Sequence, residues 1–184
     1  MSGLSVVVGY TICKVLNTLF VLDSPMLIKW PNDILYNNSK LAGLLIETKK
    51  MSNGMHRVVI GMGLNVNMSP DESTPISQSW TSLLQLTGVS QDRNVICAEL
   101  INQVRASILV FEKESFATFA PLWNQYNIFF NKTLQLYHHG THTIGKCIGV
   151  TPQAELILEL ENGEKKYFSS GEAFLYPDYR RENK

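Results

Sequence analysis

Lys29-Trp30-Pro31-Asn32-Asp33, followed by Lys40-Leu41-Ala42-Gly43, is the stretch on which the fold turns. Met26 to Trp30 reads as a short apolar strand. Pro31 and Asn32-Asp33 break it, and Asn37-Asn38-Ser39 makes a polar turn into a strand from Leu41 to Thr48. Two lysines, an Asn and an Asp therefore fall at strand ends, where polar groups converge on a small molecule while the strands stay rigid. Lys40 alone would equally fit a solvated turn, since most lysines are surface charges. Trp30-Pro31 weighs against that, because a large aromatic beside a proline is costly to place in a mobile loop.

Working outward, Asn53-Gly54 is a hairpin signal between the strand ending near Lys49 and one starting near Met55. The second strand, Arg57 to Val66, carries Gly61-Met62-Gly63-Leu64-Asn65. Two glycines on one face weaken a strand, a cost tolerated where a ligand or another backbone comes close. They would also accommodate a large side chain opposite. This is no dinucleotide fingerprint, because Val66 stands where a third glycine would fall and no helix begins there. Antiparallel pairing through the hairpin makes neighbours of the Lys40–Gly43 and Gly61–Asn65 segments.

These three motifs, in this order and spacing and followed by a small C-terminal barrel, resemble the biotin protein ligase family. The resemblance runs from about Gly3 to Tyr176. It implies an α+β fold, with a mixed or antiparallel sheet packed with helices as in a class II synthetase-like core, then a small SH3-like barrel. In that family a Ser-Thr-Asn segment, a glutamine and a Gly- and Arg-rich loop precede the region matched here. Nothing between Met1 and Pro25 resembles them, so a fragment, a misplaced start and a shortened relative are all open. The helix-turn-helix of the family's repressors is not seen either, and DNA binding is not expected.

The 184 residues fit one partial catalytic domain, 1–130, and an appended module, 131–184. Sixteen Lys and Arg against sixteen Asp and Glu leave no net charge, which argues against a nucleic-acid or anionic-membrane footprint. Cys13, Cys97 and Cys147 show no metal-ligand spacing and fit reduced, mostly buried thiols of a cytoplasmic protein. The apolar start, Leu4 to Leu22, lacks a basic n-region and a cleavage site, and Lys14, Asn17 and Thr18 interrupt it. Its apolar positions recur at the helical period, so Leu4 to Phe20 reads as a buried helix packed on the sheet.

Met68 to Ser79 is polar and aperiodic, a length of loop that is usually functional or disordered. It ends at Trp80, before a short helix from Ser82 to Thr87. Asp92 caps a helix to Glu114 whose apolar face is Val95, Ile96, Leu100, Ile101, Val104, Ile108, Leu109 and Phe111. Phe116 to Tyr126 reads as another helix with its aromatics in the core. Beyond Asn131 five short strands are expected: Thr133–Tyr137, Thr143–Val150, Glu155–Leu160, Lys165–Phe168 and Ala173–Tyr176. His139-Gly140 and Asn162-Gly163 supply tight turns among them. Thr151-Pro152-Gln153-Ala154 departs from the Asp and Gly common in that turn of the family. His138, His139 and His142 lack a fourth ligand and fit a solvated hairpin. The charged tail, Pro177 to Lys184, is expected to fray.

The resemblance implies a two-step reaction. Biotin's carboxylate attacks the α-phosphate of ATP to give biotinyl-5′-adenylate and pyrophosphate, and a lysine of a biotin carboxyl carrier protein then takes the biotinyl group. ATP and Mg2+ are the implied cofactors, with no metal ligand assigned. It implies Lys40 and Lys29 as catalytic residues; Lys40, Gly43, Leu45, Gly61 and Gly63 for biotin; and Asn32, Asp33, Asn65 and Trp80 for the nucleotide. In the family, the loop before Trp80 orders over the adenylate with its tryptophan against the adenine. Trp80 would otherwise anchor the following helix in the core. A homodimer is expected from bared sheet edges, no membrane partner is, and a catalytically inactive binding module of the same fold is the alternative.

Overall fold

The computed structural model describes residues 3–70 and 78–176. The tail from Pro177, and most of the polar loop before Trp80, lie outside the described residues. Helix α1 (Leu4–Leu19) is buried along nearly its whole length, as expected of a helix that is apolar almost all round. It leads into β1 (Leu27–Lys29), β2 (Asp33–Tyr36), β3 (Ser39–Lys50) and β4 (His56–Leu64). These form one antiparallel sheet in the order β1-β2-β3-β4.

Two expectations for this region need correction. Asn32-Asp33 does not simply end a strand: Asp33 opens β2. Asn37 and Asn38 sit at positive φ (46° and 67°) in a two-residue hairpin that pairs Tyr36 with Ser39. Asn tolerates that backbone well, and the tight turn folds residues 33–36 onto β3. The β3–β4 pair also differs from the sequence reading, with β3 extended to Ser39–Lys50 and β4 ending at Leu64 rather than Val66. Its turn at Gly54 (φ 83°) holds Lys50 against His56, and Leu45 meets Gly61 and Gly43 meets Gly63.

Register divides the sheet into two faces. Ile28, Ile34, Ala42 and Leu64 align across the four strands, and the first three are buried. The neighbouring row, Lys29, Asp33, Gly43 and Gly63, points to the other face because side chains alternate along a strand. An apolar row thus anchors the sheet while the next carries the polar and small residues.

After α2 (Leu83–Thr87), whose N-cap Ser82 accepts the Gln85 N–H, comes α3 (Arg93–Glu114). The Asp92 side chain caps it, accepting the Asn94 N–H at 2.8 Å. Its apolar residues do not form one buried stripe: only Ile96 and Leu100 are buried, while Val95, Ile101 and Leu109 are more than half exposed. By length and composition α3 would pass for a membrane span; here one side packs on α1. Phe116 to Tyr126 is not one helix but a 3-10 turn (Phe116–Thr118) and a short α4 (Ala120–Asn124), with Pro121 at the helix start where its missing N–H costs nothing. Phe119 and Trp123 are buried as expected. So are Cys13 and Cys147, but Cys97 is exposed.

The chain then docks on the edge of β1. The Ile28 N–H donates to the Tyr126 carbonyl at 2.7 Å, and the Ile128 N–H returns to the Ile28 carbonyl at 3.0 Å. From here β5 (Thr133–His138), β6 (Thr141–Val150), β7 (Leu156–Glu159), β8 (Lys165–Phe168) and β9 (Glu172–Leu175) form an antiparallel sheet ordered β8-β7-β6-β5-β9. In the departing turn, the Thr151 hydroxyl accepts the Gln153 and Glu155 N–H groups, both at 3.1 Å, and Ala154 takes the left-handed position (φ 65°). A threonine side chain organises this turn.

Candidate functional site

Lys40 enters β3 beside the Asn37-Asn38 turn, and Asp33 opens β2 opposite Gly43. A register shift between Ile34 and Leu35 lets the two side chains meet: Lys40 Nζ lies 2.7 Å from Asp33 Oδ1. The pair is partly open, with side chains 33% and 16% exposed. Glycine at 43 is what makes room for it. A Cβ there would sit 3.1 Å from Lys40 Cε, 3.2 Å from Nζ and 3.3 Å from Asp33 Oδ1.

The same cleft takes in Lys29 and Asn32 and is closed on its far side by Ser79 and by Gly171 to Phe174 of the C-terminal sheet, enclosing about 750 Å³. Lys29 reaches the Phe174 ring, with Nζ 4.9 Å from its centroid. Asn32 is tied down twice to β3: its side-chain amide donates to the Leu44 carbonyl at 2.7 Å, and its own carbonyl accepts the Leu44 N–H at 2.9 Å. Buried Trp30 stands behind this corner, which answers the expectation that Trp30-Pro31 is not a mobile element.

Gly61 and Gly63 lie one strand further along the same face. A Cβ on either would meet only the neighbouring strand β3, at 3.5 Å or more, so among the described residues no large opposing side chain fills the space. They leave a flat, open floor edged by Leu45 (65% exposed) and Val59 (55% exposed). Asn65 has a structural task, because its side chain donates to the Thr81 carbonyl at 2.9 Å. Trp80 sits beside Lys40: the Lys40 N–H donates to the Ser79 carbonyl and the Thr81 N–H to the Lys40 carbonyl, both at 2.9 Å. The backbone around Trp80 is therefore pinned, while the residue is only half-buried and stands outside the core.

Of the residues singled out by sequence, Lys29, Asn32, Asp33 and Lys40 share one cleft, Gly43 makes room for its ion pair, and Leu45, Gly61 and Gly63 form the adjoining floor. Glu172 and Phe174 were missed. Nothing local in Glu172-Ala173-Phe174-Leu175 says that this strand returns to Lys29; only long-range packing does.

The biotin/lipoate A/B protein ligase family model matches residues 2–65, which hold the whole sheet just described. Over 173 residues, 94% of this chain and 53% of the relative, the chain is 34% identical to the bifunctional ligase/repressor BirA of Escherichia coli. A stretch of 82 residues, 45% of this chain and 28% of the relative, is 42% identical to the biotin–[acetyl-CoA-carboxylase] ligase of Mycobacterium tuberculosis. The structure of biotin protein ligase from Aquifex aeolicus in complex with biotin and ATP superposes with a TM-score of 0.78. It does so at 24% identity, over 95% of this chain and 71% of that one, and so speaks for the fold. The family model and the relatives together support a member of the biotin/lipoate ligase class. Within it, they support a biotin protein ligase family member. It spans about half the length of the curated BirA relative of Escherichia coli.

Proposed function

We propose that this chain acts as a biotin protein ligase, which makes biotinyl-5′-adenylate from biotin and ATP and passes the biotinyl group to a lysine of a carboxyl carrier protein. The observation that carries the reading is the partly open Lys40–Asp33 pair beside a glycine-floored sheet face. Joining a carboxylate to a phosphate brings two anions together. An ammonium fixed where charge develops stabilises that transition state most in a partly dry site.

In this reading Lys40 meets the biotinyl carbonyl and the α-phosphate, with Asp33 holding it until substrate competes. Lys29, Asn32 and Asp33 serve the ribose, phosphate or metal, and the floor of Gly43, Leu45, Gly61 and Gly63 takes biotin and the approach to the nucleotide. Magnesium fits as an ion carried by ATP. Asp33 offers one carboxylate, and among the described residues no group of three His, Cys, Asp or Glu builds a protein cage. Mg2+ commonly needs only one or two carboxylates plus substrate phosphates, and there it screens the phosphate charge. The boundary near residue 130 separates the catalytic part from a C-terminal sheet that we read as the SH3-like barrel of the family, and the protein as cytoplasmic.

Calorimetry with biotin and ATP, followed by a pyrophosphate assay, tests this. Binding heat with biotin-dependent pyrophosphate release is the expected result; neither one leaves an inactive binding module of the same fold. Trp80→Ala refines it. A tryptophan facing the adenine should cost roughly 1 to 3 kcal/mol of nucleotide affinity, as on other aromatic stacking platforms, with little change in melting temperature. A loss of several kcal/mol in fold stability instead, with affinity unchanged, would make Trp80 a structural anchor.

A further inference from the structure

We propose that Phe174 of β9 is a positioning residue that aims the Lys29 ammonium at the phosphate groups entering the cleft, so that the C-terminal sheet supplies part of the anion site. The identity of the anion as a nucleotide polyphosphate rests on the function proposed above. The geometry does not.

The two lysines of the cleft are held in different ways. Lys40 is matched by a carboxylate at 2.7 Å. Lys29 lies in register with the same aspartate, yet its ammonium rests over the Phe174 ring at 4.9 Å, inside the range of about 6 Å in which a ring face attracts a cation. Among the described residues Lys29 has no carboxylate within ion-pair distance. A ring quadrupole orients an ammonium without cancelling its charge and without using up its three N–H donors. An anion arriving between the two lysines thus meets one cation already neutralised by Asp33 and one held ready by an aromatic face.

Phe174 is suited to this task because a paired strand places it. It pairs with Gln135 across β5 and β9, so it stands on a strand and not a loop. It also borders a second cavity of about 350 Å³ with Tyr137, His142 and Glu172. Preorganisation of this kind favours anion binding because little ordering remains to be done when the ligand arrives.

Titration calorimetry of inorganic pyrophosphate, without biotin, into the 184-residue chain tests the assignment. Phe174→Leu, which keeps bulk but removes the ring face, should weaken binding about threefold to fivefold, and Phe174→Tyr should restore it. In a Lys29→Met background Phe174→Leu should change nothing further. A merely structural phenylalanine would lower the melting temperature and act equally with or without Lys29. Three results would overturn the proposal: Phe174→Leu binding pyrophosphate as well as the unmutated chain, an equal loss in both backgrounds, or no pyrophosphate binding by the unmutated chain. If the coupling is found but biotin-dependent pyrophosphate release is not, the ligase reading falls and the anion site stands.

Discussion

Lys40→Ala is expected to lower biotinyl-adenylate formation by about a hundredfold or more, corresponding to on the order of 3 kcal/mol for removing one preorganised positive charge from a phosphoryl transition state. The fold should survive. Lys40 Nζ has Asp33 as its one ion-pair partner among the described residues, and a pair this open contributes no more than about 1 kcal/mol to stability. The backbone bonds that Lys40 makes to Ser79 and Thr81 do not depend on its side chain. Rapid release of pyrophosphate by the variant, within about threefold of the unmutated protein, would remove Lys40 from the chemistry.

The placement of Lys40 is legible in the sequence up to a point. Asn53-Gly54 identifies the β3–β4 hairpin, and once the hairpin is drawn, Gly43 and Gly63 become direct partners. The Asp33–Lys40 ion pair is not legible, because it depends on β2. Residues 33–36 alternate in no useful way, with both central residues buried, and they follow Pro31 and Asn32, which read as breakers. What makes them a strand is the pair of left-handed asparagines after them, a feature of turn chemistry and not of periodicity.

The helix α3 shows a different limit. Its apolar residues do repeat at the helical period, yet Ile101 and Leu109 stand more than half exposed. Periodicity reports which residues share a face; it does not report whether another element lies against that face. Phe174 marks a third limit. It is separated from Lys29 by most of the chain, so the two meet only because residues 126–128 dock on β1 and carry the C-terminal sheet back over the cleft.

Gly43→Val should match the Lys40→Ala loss of adenylate formation, about a hundredfold, while leaving the melting temperature unchanged or raised. The Cβ alone would lie 3.1 to 3.3 Å from Lys40 Cε, Lys40 Nζ and Asp33 Oδ1, and the two γ-methyls of valine need still more room. What must give is the far end of a flexible lysine, so relief is cheap for the fold and ruinous for the ion pair. Valine also suits a strand better than glycine, whose backbone freedom and missing side chain weaken a strand interior. Stability and activity should therefore move in opposite directions, which an ordinary packing defect does not produce. Pyrophosphate release measured beside a thermal melt decides the matter. An active Gly43→Val protein would mean that neither the Lys40–Asp33 pair nor its position over this glycine is needed for adenylate formation. A large fall in melting temperature would mean that Gly43 serves the packing of the sheet rather than the seating of the lysine.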